Sequence, residues 1–194
     1  MRRTAFASRT LLASALLAAA ASAGAQTPEA KLVAGQSRIG FVTRQMGAPV
    51  EGSFKSFETR VAFDPRKPEG GSIAVDIDVA SASLGIPMTD AELPKPEWFD
   101  AAHFPKASFQ SSAIRATGGG RFDIVGKLTM KGATRPLTVP VEITQSAGQS
   151  VAAGSFTIQR LTYKIGEGEW TDTSVLGDDV QVRFKLVLTG LGPL

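Results

Sequence analysis

The chain has 194 residues, 43% of them hydrophobic, with 21 Lys and Arg against 18 Asp and Glu, a single His and no Cys. Disulfides, thiol chemistry and a lipid-modified cysteine anchor are excluded, and one lone His leaves His/Cys metal sites and Ser-His or Cys-based nucleophiles without their parts. The formal +3 charge belongs to Arg2, Arg3 and Arg9; without them 18 basic groups face 18 acidic ones, so bulk attraction to nucleic acid has no support.

Those arginines, the apolar run from Leu11 to Ala21 and the small residues Ala23-Gly24-Ala25 form the three-part pattern of a secretory signal peptide. Cleavage is expected after Ala25, which gives a signal segment 1–25 and one domain over 26–194 of an exported protein. The apolar run is too short for a membrane span, which needs roughly 20 such residues.

From Ser37 onward the dominant period is two, the signature of strands. Ile39, Phe41 and Thr43 alternate with Arg38, Gly40 and Arg44, and Gly47-Ala48-Pro49 reads as a turn. A second strand is expected from Val50 to Asp64, with Phe57, Thr59, Val61 and Phe63 on one face. After the polar loop 65–71, Ile73, Val75, Ile77 and Val79 oppose Asp76 and Asp78.

The stretch Leu93–Ser112 breaks this pattern, with one Trp, three Phe, three Pro and the only His in 20 residues. Thr89-Asp90-Ala91-Glu92 has capping-box spacing for a short helix that Pro94 ends. Pro96 suits the first position of a second short turn carrying Trp98 and Phe99. Short helical segments near 88–100 are therefore expected to cap one end of the strands.

A fourth strand follows at 106–117, the tight turn Gly118-Gly119-Gly120, and a fifth at 121–130 with Phe122, Ile124, Leu128 and Met130 on one face. Lys131-Gly132 signals a hairpin, and Leu137, Val139, Val141 and Ile143 mark a sixth strand in which Pro140 implies a bulge or an unpaired position. A seventh strand runs from about Ser150 to Leu161. Val180, Val182, Phe184, Leu186 and Leu188 form the eighth. The fold class is all-β: eight antiparallel strands with short turns fit a closed up-and-down barrel, with a sandwich as the alternative.

Six motifs in order resemble the YceI-like polyisoprenoid-binding family. They are Ser37-Arg38-Ile39-Gly40-Phe41, Gly52–Phe57, Phe63-Asp64-Pro65, the central segment from Trp98-Phe99-Asp100 through Phe104-Pro105 to Phe109-Gln110-Ser111, the hairpin Gly126–Pro136, and Arg160–Gly166. The resemblance implies a lipocalin-like eight-stranded antiparallel barrel in the periplasm. Its tunnel would hold an isoprenoid lipid, such as a prenyl quinone or a polyprenyl phosphate. Gln45–Gly52 and Gly166–Asp172 look like a branch associated with cytochrome b561, which implies that membrane protein as a partner. Gln36 stands where many members carry His before the Ser, so no role of that His transfers.

The ligand-binding set expected at the tunnel and its mouth is Phe41, Phe54, Phe63, Trp98, Phe99, Phe104, Phe109, Phe122, Leu128, Phe156, Arg160, Trp170 and Phe184. Removing a prenyl tail from water suits such a lining, at about 0.8 kcal/mol per CH2-sized group or about 4 kcal/mol per five-carbon unit. The competing reading is a solid core filled by the same rings.

Arg160 shares parity with Phe156 and Ile158 and so points inward, either to hold a phosphate or quinone oxygen or to form an internal salt bridge with a carboxylate. His103 reads as a surface or mouth residue. Glu167, Glu169, Asp172, Asp178 and Asp179 lack calcium-loop spacing and read as a solvated loop. No catalytic motif, metal site or cofactor beyond a bound isoprenoid is expected, so the reading is a binding protein and not an enzyme. A homodimer is left open.

Overall fold

Eight antiparallel staves close on themselves, each paired with its neighbour in sequence. The structure, a computed structural model, describes residues 29–194, and the expected signal segment lies outside them. The first stave is β1 (Glu29–Leu32) continued by β2 (Arg38–Gln45), the second β3 (Ala48–Phe54) and β4 (Phe57–Ala62), and the third β5 (Ser72–Asp78) and β6 (Ala82–Ser83). Then come β7 (Lys106–Gly118), β8 (Arg121–Met130), β9 (Ala133–Ser146), β10 (Gln149–Gln159) and β11 (Asp179–Thr189). Strand β11 pairs with β10 on one side and with both β1 and β2 on the other, which closes the barrel and excludes the sandwich.

The first three staves share a break at one level, where the sequence had suggested an unbroken strand from Val50 to Asp64. The first is interrupted by a 3-10 turn at Ala34–Gln36, the second at Lys55-Ser56 and the third by a 3-10 turn at Val79–Ser81. Serine hydroxyls repair the ladder along this crease. Ser37 Oγ donates to the Val33 carbonyl and accepts from the Val187 amide, both at 2.9 Å. Ser81 Oγ accepts from the Ser56 amide at 3.0 Å and donates to the Asp78 carbonyl. Such interruptions bend a sheet and help it close.

Four tight turns join staves with both central residues at positive φ: Met46-Gly47, Gly119-Gly120, Lys131-Gly132 and Ala147-Gly148. That conformation matches the twist of a hairpin. The first turn therefore falls one residue before the expected Gly47-Ala48-Pro49, and Ala48 and Pro49 belong to β3. Pro140 needs no donor toward β10, because that ladder stops at Ala153↔Glu142.

The capping segment also departs from expectation. Its one α-turn, α1, spans Pro87–Asp90 with Pro87 as its first residue, so Thr89 lies inside it and heads no capping box. Residues 92–104 continue as linked hydrogen-bonded turns, among them the expected short turn at Pro96, where the Trp98 amide donates to the Lys95 carbonyl.

Two apolar clusters fill the ends. At the closed end Phe63 and Phe122 meet edge to face with centroids 5.1 Å apart, among Ile114, Ile124 and Ile143. Beneath the capping segment Leu93, Phe99, Tyr163 and Ile165 pack on Leu128, Met130 and Ile158.

Replacing Ser37 with Ala leaves the Val187 amide without its partner. This should cost about 1–2 kcal/mol, read as a lower urea midpoint at unchanged slope.

Candidate functional site

The interior is hollow because several inward Phe rings lie against the wall instead of across it. Phe41 stands opposite Gly52, Phe184 opposite Gly154, and Phe109 beside Gly126. A Cβ on each of these glycines would come within 2.6 Å of the ring. The missing side chain is thus the space the ring occupies.

Two chambers result. The outer one, about 580 Å3, runs from the capping segment to mid-barrel and is lined by Phe41, Phe54, Trp98, Phe99, Arg160 and Trp170 of the expected set. The inner one, about 130 Å3, is lined by Phe63, Phe109 and Phe184 of that set together with aliphatic side chains. Leu128 and Phe156 border both.

Two expected residues lie elsewhere. Phe104 sits on the outside against Gly132, more than a third exposed. Phe122 is buried but packs behind Phe63 as part of the closed end, outside both linings. Period-two patterning finds inward faces but does not separate a lining ring from one that plugs the bottom.

The mouth is built from 84–104 and 160–178, held by two buried cations. Arg160 is 2% exposed, and all five of its N–H groups donate to backbone carbonyls. Nε reaches Gly177 at 3.0 Å, Nη1 reaches Ile165 and Gly166 at 2.9 Å, and Nη2 reaches Trp170 and Leu176. Burial lowers its pKa from the ordinary arginine value, opposed by the nearby Asp178 charge. Arg160 therefore forms neither the expected carboxylate salt bridge nor a free head-group anchor; its donors are spent on the loop.

Lys131 works alike, its Nζ donating to the Pro96 and Lys164 carbonyls and to Glu167 Oε2 at 2.9 Å. It ties both mouth segments to the β8–β9 hairpin. Trp98 and Trp170 meet across the join with centroids 5.4 Å apart.

The polar side chains lining the outer chamber, apart from Arg160, are Thr43, Gln45, Thr89, Glu92 and Glu169. None of these five was in the expected set, since no spacing marks them. Beside them the open rim carries Met46 and Met88, 81% and 85% exposed. His103 is exposed and paired with Asp100 at 2.8 Å, away from the lining. Within the acidic loop Glu167 pairs with Lys131, and Asp178 accepts from the Leu161 amide. Among the described residues no group of three His, Cys, Asp or Glu is placed to hold a metal, and no helix is long and apolar enough to cross a membrane.

A closed eight-stranded barrel with an apolar, blind interior and a lidded mouth defines a lipocalin-like binding protein. The chain belongs to the YceI family, whose YceI-like domain matches residues 31–188. Its curated relatives include a UPF0312 protein of Pseudomonas putida strain GB-1, 35% identical over 89 residues that are 46% of each protein. The match thus spans about half the length of those relatives.

Among solved structures, Burkholderia cenocepacia BcnA superposes with TM-score 0.78 at 41% identity, over 81% of this chain and 99% of that one. A polyisoprenoid binding domain from Saccharophagus degradans, implicated in plant cell wall breakdown, shares the fold at TM-score 0.67 and 16% identity, over 85% of this chain and 99% of its own. A Campylobacter jejuni YCEI protein does so at 0.65 and 23%, over 71% and 83%.

Exchanging Arg160 for Lys supplies three donors where five are needed. The expected cost is about 2–4 kcal/mol, with faster hydrogen exchange at the Gly166 and Gly177 amides while β8 stays protected.

Asp90 offers a pH readout. Its carboxylate accepts from the Leu84 amide at 2.6 Å and the Ser83 hydroxyl at 2.8 Å, and the Leu84 bond above all holds its pKa below the ordinary aspartate value. A depressed folded pKa means the contact is fully present above the unfolded value and lost as pH falls through the folded one. The Leu84 amide shift should stay constant down through the ordinary carboxylate range and move only below it; Asp90→Ala should abolish that titration.

Proposed function

We propose that this protein is an exported, periplasmic carrier that holds one isoprenoid lipid without transforming it, and that the lipid's head group is uncharged, as in a prenyl quinone. The observation that carries this reading is the pairing of a blind apolar interior with a mouth whose one lining cation is fully engaged. A phosphate head needs paired N–H donors from Arg or Lys. Here it would meet Glu92 and Glu169 and an Arg160 with no donor left. A quinone needs only hydrogen-bonding partners, which Thr43, Gln45 and Thr89 supply.

The outer chamber lies within the roughly 300–1,000 Å3 range of small-molecule sites. Export rests on the signal pattern of Arg2, Arg3, Leu11–Ala21 and Ala23-Gly24-Ala25. The binding reading draws support from family membership and from the name of the Saccharophagus domain.

A second reading, a redox-accessory module that presents a prenyl quinone to a membrane cytochrome b561, is favoured by one observation. Met46, Ile86 and Met88 leave an exposed apolar rim beside the opening. Methionine suits such a surface, being flexible and polarizable.

Organic extraction of the protein purified from its native host, followed by mass spectrometry, should release a neutral prenyl lipid. In competition, a prenyl quinone should bind at least about tenfold tighter than a polyprenyl phosphate of matched tail, a difference near 1.4 kcal/mol. Preference for the phosphate would overturn the head-group assignment, and binding of neither would overturn the carrier.

A further inference from the structure

The inner chamber lies directly against the outer one. It joins the outer chamber through a waist formed by Ile77, Ala107, Leu128, Phe156 and Val182, the five residues that line both. They come from β5, β7, β8, β10 and β11, so the ring runs around most of the barrel. Ile77 pairs directly with Ala107, and Phe156 with Val182. Four of the five carry large side chains, and only Ala107, itself buried, leaves room between them. Beyond the waist the chamber reaches Phe63, which rests on Phe122, both of them buried. Its volume, about 130 Å3, approaches that of an apolar cavity of roughly 150 Å3 that stays dry and takes up benzene or xenon.

We propose that the inner chamber is a separate subsite for the end of a prenyl tail, a branched hydrocarbon of about one five-carbon unit, and that Ala107 determines whether a tail reaches it. The proposal rests on the carrier reading for its natural ligand but not for its geometry. A short tail fills the outer chamber alone. A longer one threads the waist, gains the inner lining, and can go no further because the end is closed. Length preference is thereby set by one small residue at mid-barrel and not by the mouth.

The test compares a short-tailed prenyl benzoquinone with a long-tailed one of the same head on the wild-type protein, Ala107→Leu and Val182→Phe. Val182 lies four staves from Ala107, on the opposite wall, so the two variants plug the same ring from opposite sides. The wild type should favour the long tail by at least about tenfold. Each plug should weaken long-tail binding about tenfold more than short-tail binding and so abolish the preference.

Xenon pressurised into wild-type crystals should occupy the inner chamber whatever the natural cargo. Undiminished long-tail preference in folded plugged variants, or no xenon inside the Phe63 end, would overturn the proposal while the carrier stands. Failure of the wild type to bind either quinone, with xenon bound, would overturn the quinone reading of the cargo and the tail assigned to the inner chamber, while the chamber itself stands.

Discussion

The structure depends on keeping apolar side chains from collapsing onto one another. Protein interiors ordinarily pack as densely as organic crystals, and a void forfeits the dispersion contacts of everything that lines it. This barrel stays open because Phe41, Phe109 and Phe184 each lie over a glycine of a paired strand. Each ring presents its face to the lumen and takes its van der Waals partners from the wall. An apolar guest entering that space would replace contacts that a solid core would have made internally.

The same economy governs the mouth. The segments 84–104 and 160–178 contain little regular structure, and their backbone carbonyls would otherwise face an apolar chamber unpaired. Arg160 and Lys131 supply the donors, and in doing so a buried cation is satisfied by dipoles instead of by a carboxylate. Breaking such a site costs more than forming it gains, because both the charge and the carbonyls are stranded. The consequence is functional. The cation lining the outer chamber has no hydrogen bond left to give, and the other polar side chains of that lining are hydroxyls, an amide and two carboxylates.

Eight staves, their inward faces and the Lys131-Gly132 turn were legible in the sequence, since strand period and turn chemistry are local. The crease was not, because Ser37, Ser56 and Ser81 act across strands, and a serine that mends a ladder looks like any serine. Parity placed Arg160 inside but not its partners, five carbonyls that no side-chain spacing can mark. Phe104 and Phe122 show the same limit from the other side. Aromatic content announces burial or a lining, while the difference between lining, plug and outer wall is set by what stands opposite.

Affinity and identity are consequently supplied by different parts of the molecule. Tail burial at about 4 kcal/mol per five-carbon unit soon exceeds any measured binding energy, which saturates near −18 to −21 kcal/mol. On the carrier reading proposed above, tail area therefore cannot distinguish one head group from another on the same tail, and much of it is consumed by ordering the chain. Head-group discrimination would then fall to the few atoms at the mouth, where it would operate by exclusion. An anionic head drawn to the opening would lose hydration without gaining a free cation, beside two carboxylates, whereas a neutral carbonyl or hydroxyl gives up little. Committing Arg160 to the loop thus builds the lid and, on the reading proposed above, would withhold the one lining charge that a phosphate could use.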